Sequence, residues 1–306
     1  MSLISDKKKL TLINIPATHD STAYYMNRIS MNLAQTQYYT IQQQLQIGTR
    51  KFDVRVANIN KNKETDEDLI CCHGICDCYA SDDFGNFKKL TFKSVIIDIV
   101  NFLQNHPSEI VMIGISLGRG KDSATVIRAY ELFKKLVGEN NAVEYNPDLI
   151  LGNVRGKFVY FTNMREEPDK KDINKKLICS KNLINGTGIG EVHKKYKDYA
   201  TFKVNGNLKI QEMKDMFQLY NMTLEQAEIE EAKKSIKFPI EYSISCTGEK
   251  DYCFPSPIYH AGIVHPFVQK DGVIKKGYYY GWLKMDFANY QTNYKIIDSN
   301  FVNFSL

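Results

Sequence analysis

The chain has 306 residues, 43% of them hydrophobic and 25% charged, with a formal net charge of +5. This is the profile of a soluble globular protein with a substantial core, and the charge is too small to argue for nucleic acid, though it suits an anionic membrane surface or a phosphorylated substrate. No run approaches the roughly 18 apolar residues of a membrane span, and the start, Met1-Ser-Leu-Ile-Ser-Asp-Lys-Lys-Lys9, lacks a hydrophobic signal core, so a soluble protein not exported by the usual route is expected.

Along the chain, residues 9–15 form a short β-rich run ending at Pro16, predicted as a strand that delivers His19 to a loop. Residues 41–47 space aliphatics among glutamines and stop at Gly48, as a helix does at its C-cap. Residues 51–56 alternate like a half-buried strand, so Asp53 and Arg55 project from one face. The stretch 58–68 is a polar loop or hairpin turn, and 69–73 is a second strand ending on His73. A helix is predicted over 90–105, with Thr91 as its cap, apolar positions at Val95, Ile99, Phe102 and Leu103, and His106-Pro107 as its stop. Residues 109–117 read as a buried parallel strand, 123–138 as a helix and 157–161 as another buried strand. Residues 169–207 are lysine-rich and look least structured. A charged amphipathic helix over 224–237 precedes strands at 240–245 and 278–286, while His260 and His265 flank a strand-like segment. Trp282, inside the last strand, reads as core. The alternation predicts a barrel-like α/β fold, and without repeats or a Pro/Ser-rich linker the chain reads as one domain over 1–306.

Four of the seven cysteines, Cys71, Cys72, Cys76 and Cys78, surround His73. Thiolates beside an imidazole suggest zinc, but adjacent cysteines fit one tetrahedral site poorly and no second CxxC follows. Free or partly buried thiols in a reducing compartment are the plainer reading. His19, Asp20, Asp53, Arg55 and His73 carry more chemistry. Two histidines, two carboxylates and an arginine are what in-line phosphoryl transfer needs: a base, an acid, their orienters and a cation for the charged oxygens. Each is a weak signal alone, yet all occur in order, each closing an apolar run.

These residues sit in stretches that resemble the catalytic X domain of phosphatidylinositol-specific phospholipase C, in its small bacterial-type form. The stretches are Ile15-Pro-Ala-Thr-His-Asp-Ser21, Leu33-Ala-Gln-Thr-Gln37, Gln44-Leu-Gln-Ile-Gly-Thr-Arg-Lys-Phe-Asp-Val-Arg55, His73-Gly74, Phe102-Leu-Gln-Asn-His-Pro-Ser-Glu109 and Gly281-Trp-Leu-Lys-Met-Asp286. The resemblance implies a single irregular TIM-type (β/α) barrel with its site at the C-terminal strand ends. It implies that His19, held by Asp286, is general base on the inositol 2-hydroxyl. His73, supported by Asp20, would be general acid on the diacylglycerol oxygen, and Arg55, with Asp53 orienting it or His73, would stabilise the phosphate oxygens. The products would be diacylglycerol and inositol 1,2-cyclic phosphate. For substrate binding it offers Arg119, Arg165, Glu212 and Lys214, the last standing where an aromatic stacking residue is expected.

Arg55 stands where calcium-dependent relatives carry an acidic metal ligand, so no metal and no cofactor are expected. The implied partners are an inositol phospholipid, free or glycosylated, and transiently a membrane surface, with a monomeric enzyme and no nucleic acid. Tyr24, Tyr25, Met26, Ile29 and Met31 form either a membrane-facing rim patch or a buried amphipathic helix. Two titrating histidines imply a bell-shaped pH dependence between roughly 5 and 8. Two competitors stand: a phosphodiesterase of this fold acting on another diester, which would need paired carboxylates and a divalent metal, and an inactive lipid-binding barrel, which has no use for two opposed histidines.

Overall fold

The computed structural model describes residues 1–26, 34–60, 65–81, 85–119, 123–161, 164–167, 176–179, 206–236, 238–244 and 256–302. In chain order these form β1 (Ile15–Thr18), α1 (Ile41–Gln46), β2 (Lys51–Asn58), β3 (Leu69–His73), β4 (Cys76–Asp77), β5 (Tyr79–Ser81), β6 (Phe87–Lys89), α2 (Phe92–Asn105), β7 (Val111–Leu117) and α3 (Ser123–Val137). There follow β8 (Ala142–Glu144), β9 (Phe158–Phe161), β10 (Met164–Glu167), β11 (Lys176–Cys179), α4 (Gly206–Leu219), α5 (Leu224–Ala232), β12 (Glu241–Ser243), α6 (Pro257–Gln269), β13 (Trp282–Met285) and α7 (Tyr290–Asp298).

The strands β12-β13-β1-β2-β7-β9-β8 pair in that order, every pairing parallel, so their C-terminal ends share one rim. This is the α/β barrel-type architecture the alternation predicts, and among the described residues no ladder joins β8 to β12. Phe52, Val54 and Ile113 share one fully buried apolar cluster with Val95, Ile99 and Phe133 of α2 and α3. A second cluster seats β12 and β13 on α4 and α6 through Tyr242, Leu283, Met213 and Val264. Burying a side chain of this size is worth about 1.5–3 kcal/mol, which is what holds the outer helices on the sheet.

Three local differences have physical causes. Residues 10–12 form a 3-10 turn, and the strand is β1, with Pro16 inside it. Pairing with β2 begins only at Ala17↔Lys51, so the missing proline N–H leaves no gap in that ladder. The run 278–286 is extended only from Trp282, because Gly281 takes a φ of +70° and a Cβ there would lie 2.1 Å from the Ile240 carbonyl oxygen. His260 and His265 belong to α6, a helix, which starts with Pro257 just after Ser256 and carries Pro266 within it. Residues 169–175, 180–205, His193 and Lys121 lie outside the described residues.

Candidate active site

Parallel register brings the first two groups together. Thr18 pairs with Met285, so the residues that follow, His19 and Asp286, leave adjacent strands side by side. The His19 N–H donates to the Met285 carbonyl at 3.0 Å, and His19 Nδ1 lies 2.9 Å from Asp286 Oδ1. Gln37 ties both strand ends: its Nε2 donates to the carbonyls of His19 (3.0 Å) and Met285 (3.1 Å), and its Oε1 accepts from Ala288 N (3.2 Å). Asp20 then turns back with a φ of +41°, a conformation rare for a residue with a side chain. Thr36 Oγ1 donates to its carbonyl at 2.9 Å, and the carboxylate ends up only 1% exposed.

His73 arrives by a different route. The strand β3 runs back antiparallel on β2, with Val56 opposite Cys71, and ends on His73 at the mouth of the barrel. Gly74, with a φ of +57°, then turns the chain into β4. The Ala34 carbonyl lies 2.7 Å from His73 Nδ1, and because a carbonyl only accepts, Nδ1 carries a proton and Nε2 faces Asp20 Oδ2 at 3.0 Å.

Arg55 lies against His19 and the two carboxylates. Its Nε is 2.5 Å from Asp20 Oδ1, and its second terminal nitrogen is 3.6 Å from Asp53 Oδ2 and 3.1 Å from His19 Nε2. His19 Nε2 is also 3.3 Å from Asp20 Oδ2, and the two imidazole centroids are 6.2 Å apart. The donors of His19, Asp20 and Asp53 lie close enough to hold a cation, and Arg55 supplies one. Gly118 makes room for it: a Cβ there would lie 2.3 Å from Cys72 Sγ and 3.2 Å from Arg55 Cβ.

The charges set the titration. Burial works against a charged His19, but the carboxylates of Asp20 and Asp286 outweigh it, and its pKa is raised. Burial likewise opposes a charged Asp53, yet Arg55, then Lys284, hold its carboxyl well below the usual carboxylate range. Lys284 of β13 is raised in turn: burial lowers it, and Asp53 and Glu241 more than compensate. The neighbouring thiols behave as core. Burial pushes Cys72 up to about 11 and also raises Cys71 and Cys78, and the latter two pack in the main apolar cluster. Neutral, buried thiols are poor metal ligands.

The expected substrate residues fare differently from the catalytic set. Arg119 donates to the Asp77 carboxylate at 2.6 Å and to the Ile75 carbonyl at 3.1 Å, which spends its guanidinium on the hairpin after His73. Glu212 is buried in an ion pair with Lys209 at 2.8 Å, and that ammonium lies 5.0 Å over the Tyr242 ring. Two residues further is about 200° round a helix, so Lys214 faces outward. It lines a surface cleft with Phe217, Phe267 and Tyr278, beside the entry end of β13 and away from the end that carries Asp286. Arg165 lies on β10, opposite Ile178 of β11, outside the main sheet. Of the expected rim patch, Tyr24 and Met26 are buried and Tyr25 is exposed, while Ile29 and Met31 lie outside the described residues. Trp282 is fully buried, and His106 ends α2 stacked on Phe102.

Sequence reasoning assigned no role to Gln37, Lys284 or the Ala34 carbonyl. Lys284 left a readable signal, a charge in an otherwise apolar strand. The other two act through backbone groups, which no side-chain pattern announces.

No family model matches the chain. It is 25% identical to the 1-phosphatidylinositol phosphodiesterase of Staphylococcus aureus (strain Newman), over 98% of this chain and 93% of that protein. A shorter match, 28% identical over 33% of this chain and 37% of the relative, is to PI-PLC X domain-containing protein 1 of Danio rerio. In fold it is similar to a variant of the phosphatidylinositol-specific phospholipase C of S. aureus, with a TM-score of 0.67, 18% identity and 99% and 96% of the two chains covered. The phospholipase C of Listeria monocytogenes matches with a TM-score of 0.60 and 19% identity over 99% and 98% of the two chains.

Proposed function

We propose that this protein, related along nearly its whole length to the bacterial phosphatidylinositol-specific phosphodiesterases, cleaves phosphatidylinositol to diacylglycerol and inositol 1,2-cyclic phosphate without a metal ion. The observation that carries this is the pair of imidazoles 6.2 Å apart, each within reach of a buried carboxylate, with the Arg55 guanidinium against both Asp20 and His19. In this reading His19 Nε2 removes the proton of the inositol 2-hydroxyl as its oxygen bonds to phosphorus. His73 Nε2 delivers a proton to the glycerol oxygen as the P–O bond breaks. Arg55 faces the non-bridging oxygens, where its fixed charge meets the charge that develops. Because the nucleophile belongs to the substrate, most of the barrier reduction comes from positioning, and each general acid–base partner adds roughly 10²–10⁴-fold.

The surroundings of the mouth support action on lipid at a surface. Ile75, two residues after His73, is 88% exposed, and Phe87, 62% exposed, packs edge-on against Tyr25. Tyr38, 56% exposed, leans on Phe287, the residue after Asp286. Exposed apolar side chains close to a polar site are the kind of surface that contact with a membrane would use.

Phosphorus NMR of phosphatidylinositol micelles, with protein and excess chelator, tests the proposal. Wild type is expected to produce a cyclic inositol phosphate resonance that His19→Ala does not. Activity that appears only after calcium is added would overturn the role given to Arg55, and no product under either condition would overturn the substrate.

A further inference from the structure

Asp286 is used in front and held from behind. Its Oδ1 meets His19, while its backbone carbonyl lies 2.8 Å from Nε2 of His265 on α6. His265 is 7% exposed, and its Nδ1 lies 2.9 Å from Thr292 Oγ1 on α7. The carbonyl only accepts, so Nε2 carries the ring proton and Nδ1 accepts from the threonine hydroxyl. Burial pushes the His265 pKa down, with Asp286 opposing weakly, which keeps this neutral tautomer. Thr292 is itself fixed: Gln269 Nε2 donates to its Oγ1 at 3.0 Å, and its N–H donates to Asn289 Oδ1 at 2.9 Å.

The corner beyond Asp286 needs holding. Phe287 has a φ of +49°, and such a conformation persists only where the surroundings over-determine it. Its N–H donates to the Thr36 carbonyl at 2.6 Å, and the Ala288 N–H donates to Gln37 Oε1 at 3.2 Å. These bonds brace the corner from the β1 side, and His265 braces it from the helices.

We infer that His265 is a positioning residue of this site. Through the carbonyl of Asp286 it sets the direction in which that carboxylate meets His19 Nδ1. The inference rests on His19 being the base. The charged and titratable groups facing His19 are Asp20, Asp53, Asp286, Arg55 and the imidazole of His73, and Asp286 also lies near the buried His260, which shares α6 with His265.

The test compares His265→Leu with His265→Gln, since a glutamine amide can reach the Nε2 position and donate to the carbonyl while leucine cannot. On phosphatidylinositol vesicles, His265→Leu is expected to lower kcat on the order of tenfold, because small misplacements at a reacting centre are costly, with KM unchanged. Its acidic limb moves to lower pH, because His19 loses part of the carboxylate interaction that raises it. His265→Gln restores both. A leucine variant with wild-type kcat and an unshifted limb overturns the inference. So does equal loss in both variants with no shift of the limb, which marks a purely structural residue. Titration of the His19 ring by carbon-13 NMR separates this from the activity. If wild type cleaves no phosphatidylinositol, the functional reading fails, whereas a His19 midpoint that drops in His265→Leu and not in His265→Gln still supports the positioning role, and an unchanged midpoint refutes it.

Discussion

Asp20 touches three groups at once, Arg55 Nε at 2.5 Å, His73 Nε2 at 3.0 Å and His19 Nε2 at 3.3 Å, and it is almost fully buried. A carboxylate in that position is the electrostatic hinge of the site: it steadies the cation and both imidazoles and raises the proton affinity of His19. The consequence for a base is specific. His19 accepts a proton only when neutral, so with its pKa raised the acidic limb of kcat/KM lies above the ordinary histidine value of about 6.5. Asp286 contributes to the same shift from the other ring nitrogen. Asp286→Asn keeps an oxygen near Nδ1 but removes the charge, so its limb should move to lower pH while the plateau rate falls. A pH–rate profile of the two proteins on one substrate decides this; a limb that stays put sinks the argument.

Among the elements, the β3–β4 hairpin is the piece that alternation alone misplaces. The apolar run 69–73 reads as one more strand, and it is one, but it runs antiparallel to β2 as an added arm outside the parallel order. His73 therefore reaches the mouth by coming back along β2. Arg119 and Asp77 pin the turn end of this arm, and Lys89 of β6 adds a second cation to Asp77 at 2.8 Å. At Gly118 the arm and the barrel come close together. Gly118→Ala drives a methyl into Cys72 Sγ and against Arg55 Cβ. Overpacking of this kind costs about 1–3 kcal/mol, read as a lower urea midpoint, and the displaced Arg55 lowers kcat as well. An alanine variant with unchanged midpoint and rate would falsify the account of this contact.

In the molecule as a whole, the proposed catalytic groups come together from distant parts of the chain, and exposed apolar side chains lie close to them in sequence or in contact. Ile75 follows His73 by two residues, Tyr38 leans on Phe287 beside Asp286, and Phe87 packs on Tyr25, all four exposed. Ile75→Ser combined with Phe87→Ser is expected to weaken sedimentation with phosphatidylinositol vesicles by roughly tenfold or more, since each CH₂ removed from lipid contact costs roughly 0.8 kcal/mol and the pair removes several. Cleavage of a short-chain phosphatidylinositol dispersed as monomers should be unchanged. Equal loss on both substrates would assign these residues to the site and not to the surface.

The α/β class, the parallel strands and the candidate residues His19, Asp20, Arg55 and His73 were legible along the chain, because hydrophobic periodicity is local and each of these groups closes an apolar run. Asp286 was legible only through the resemblance of Gly281-Trp-Leu-Lys-Met-Asp286, since its partner His19 lies 267 positions away. Folding supplied what local pattern cannot hold. The register Thr18↔Met285 joins base and carboxylate, the antiparallel return of β3 aims His73, and backbone carbonyls of Ala34 and Asp286 fix the tautomers of His73 and His265. Folding likewise turned Lys214 outward and committed Arg119 and Glu212 to ion pairs. Residue type states which chemistry a chain is able to perform, but distances of 2.5 to 3.1 Å between segments remote in sequence arise from packing, and those distances decide which of the capable residues face one another.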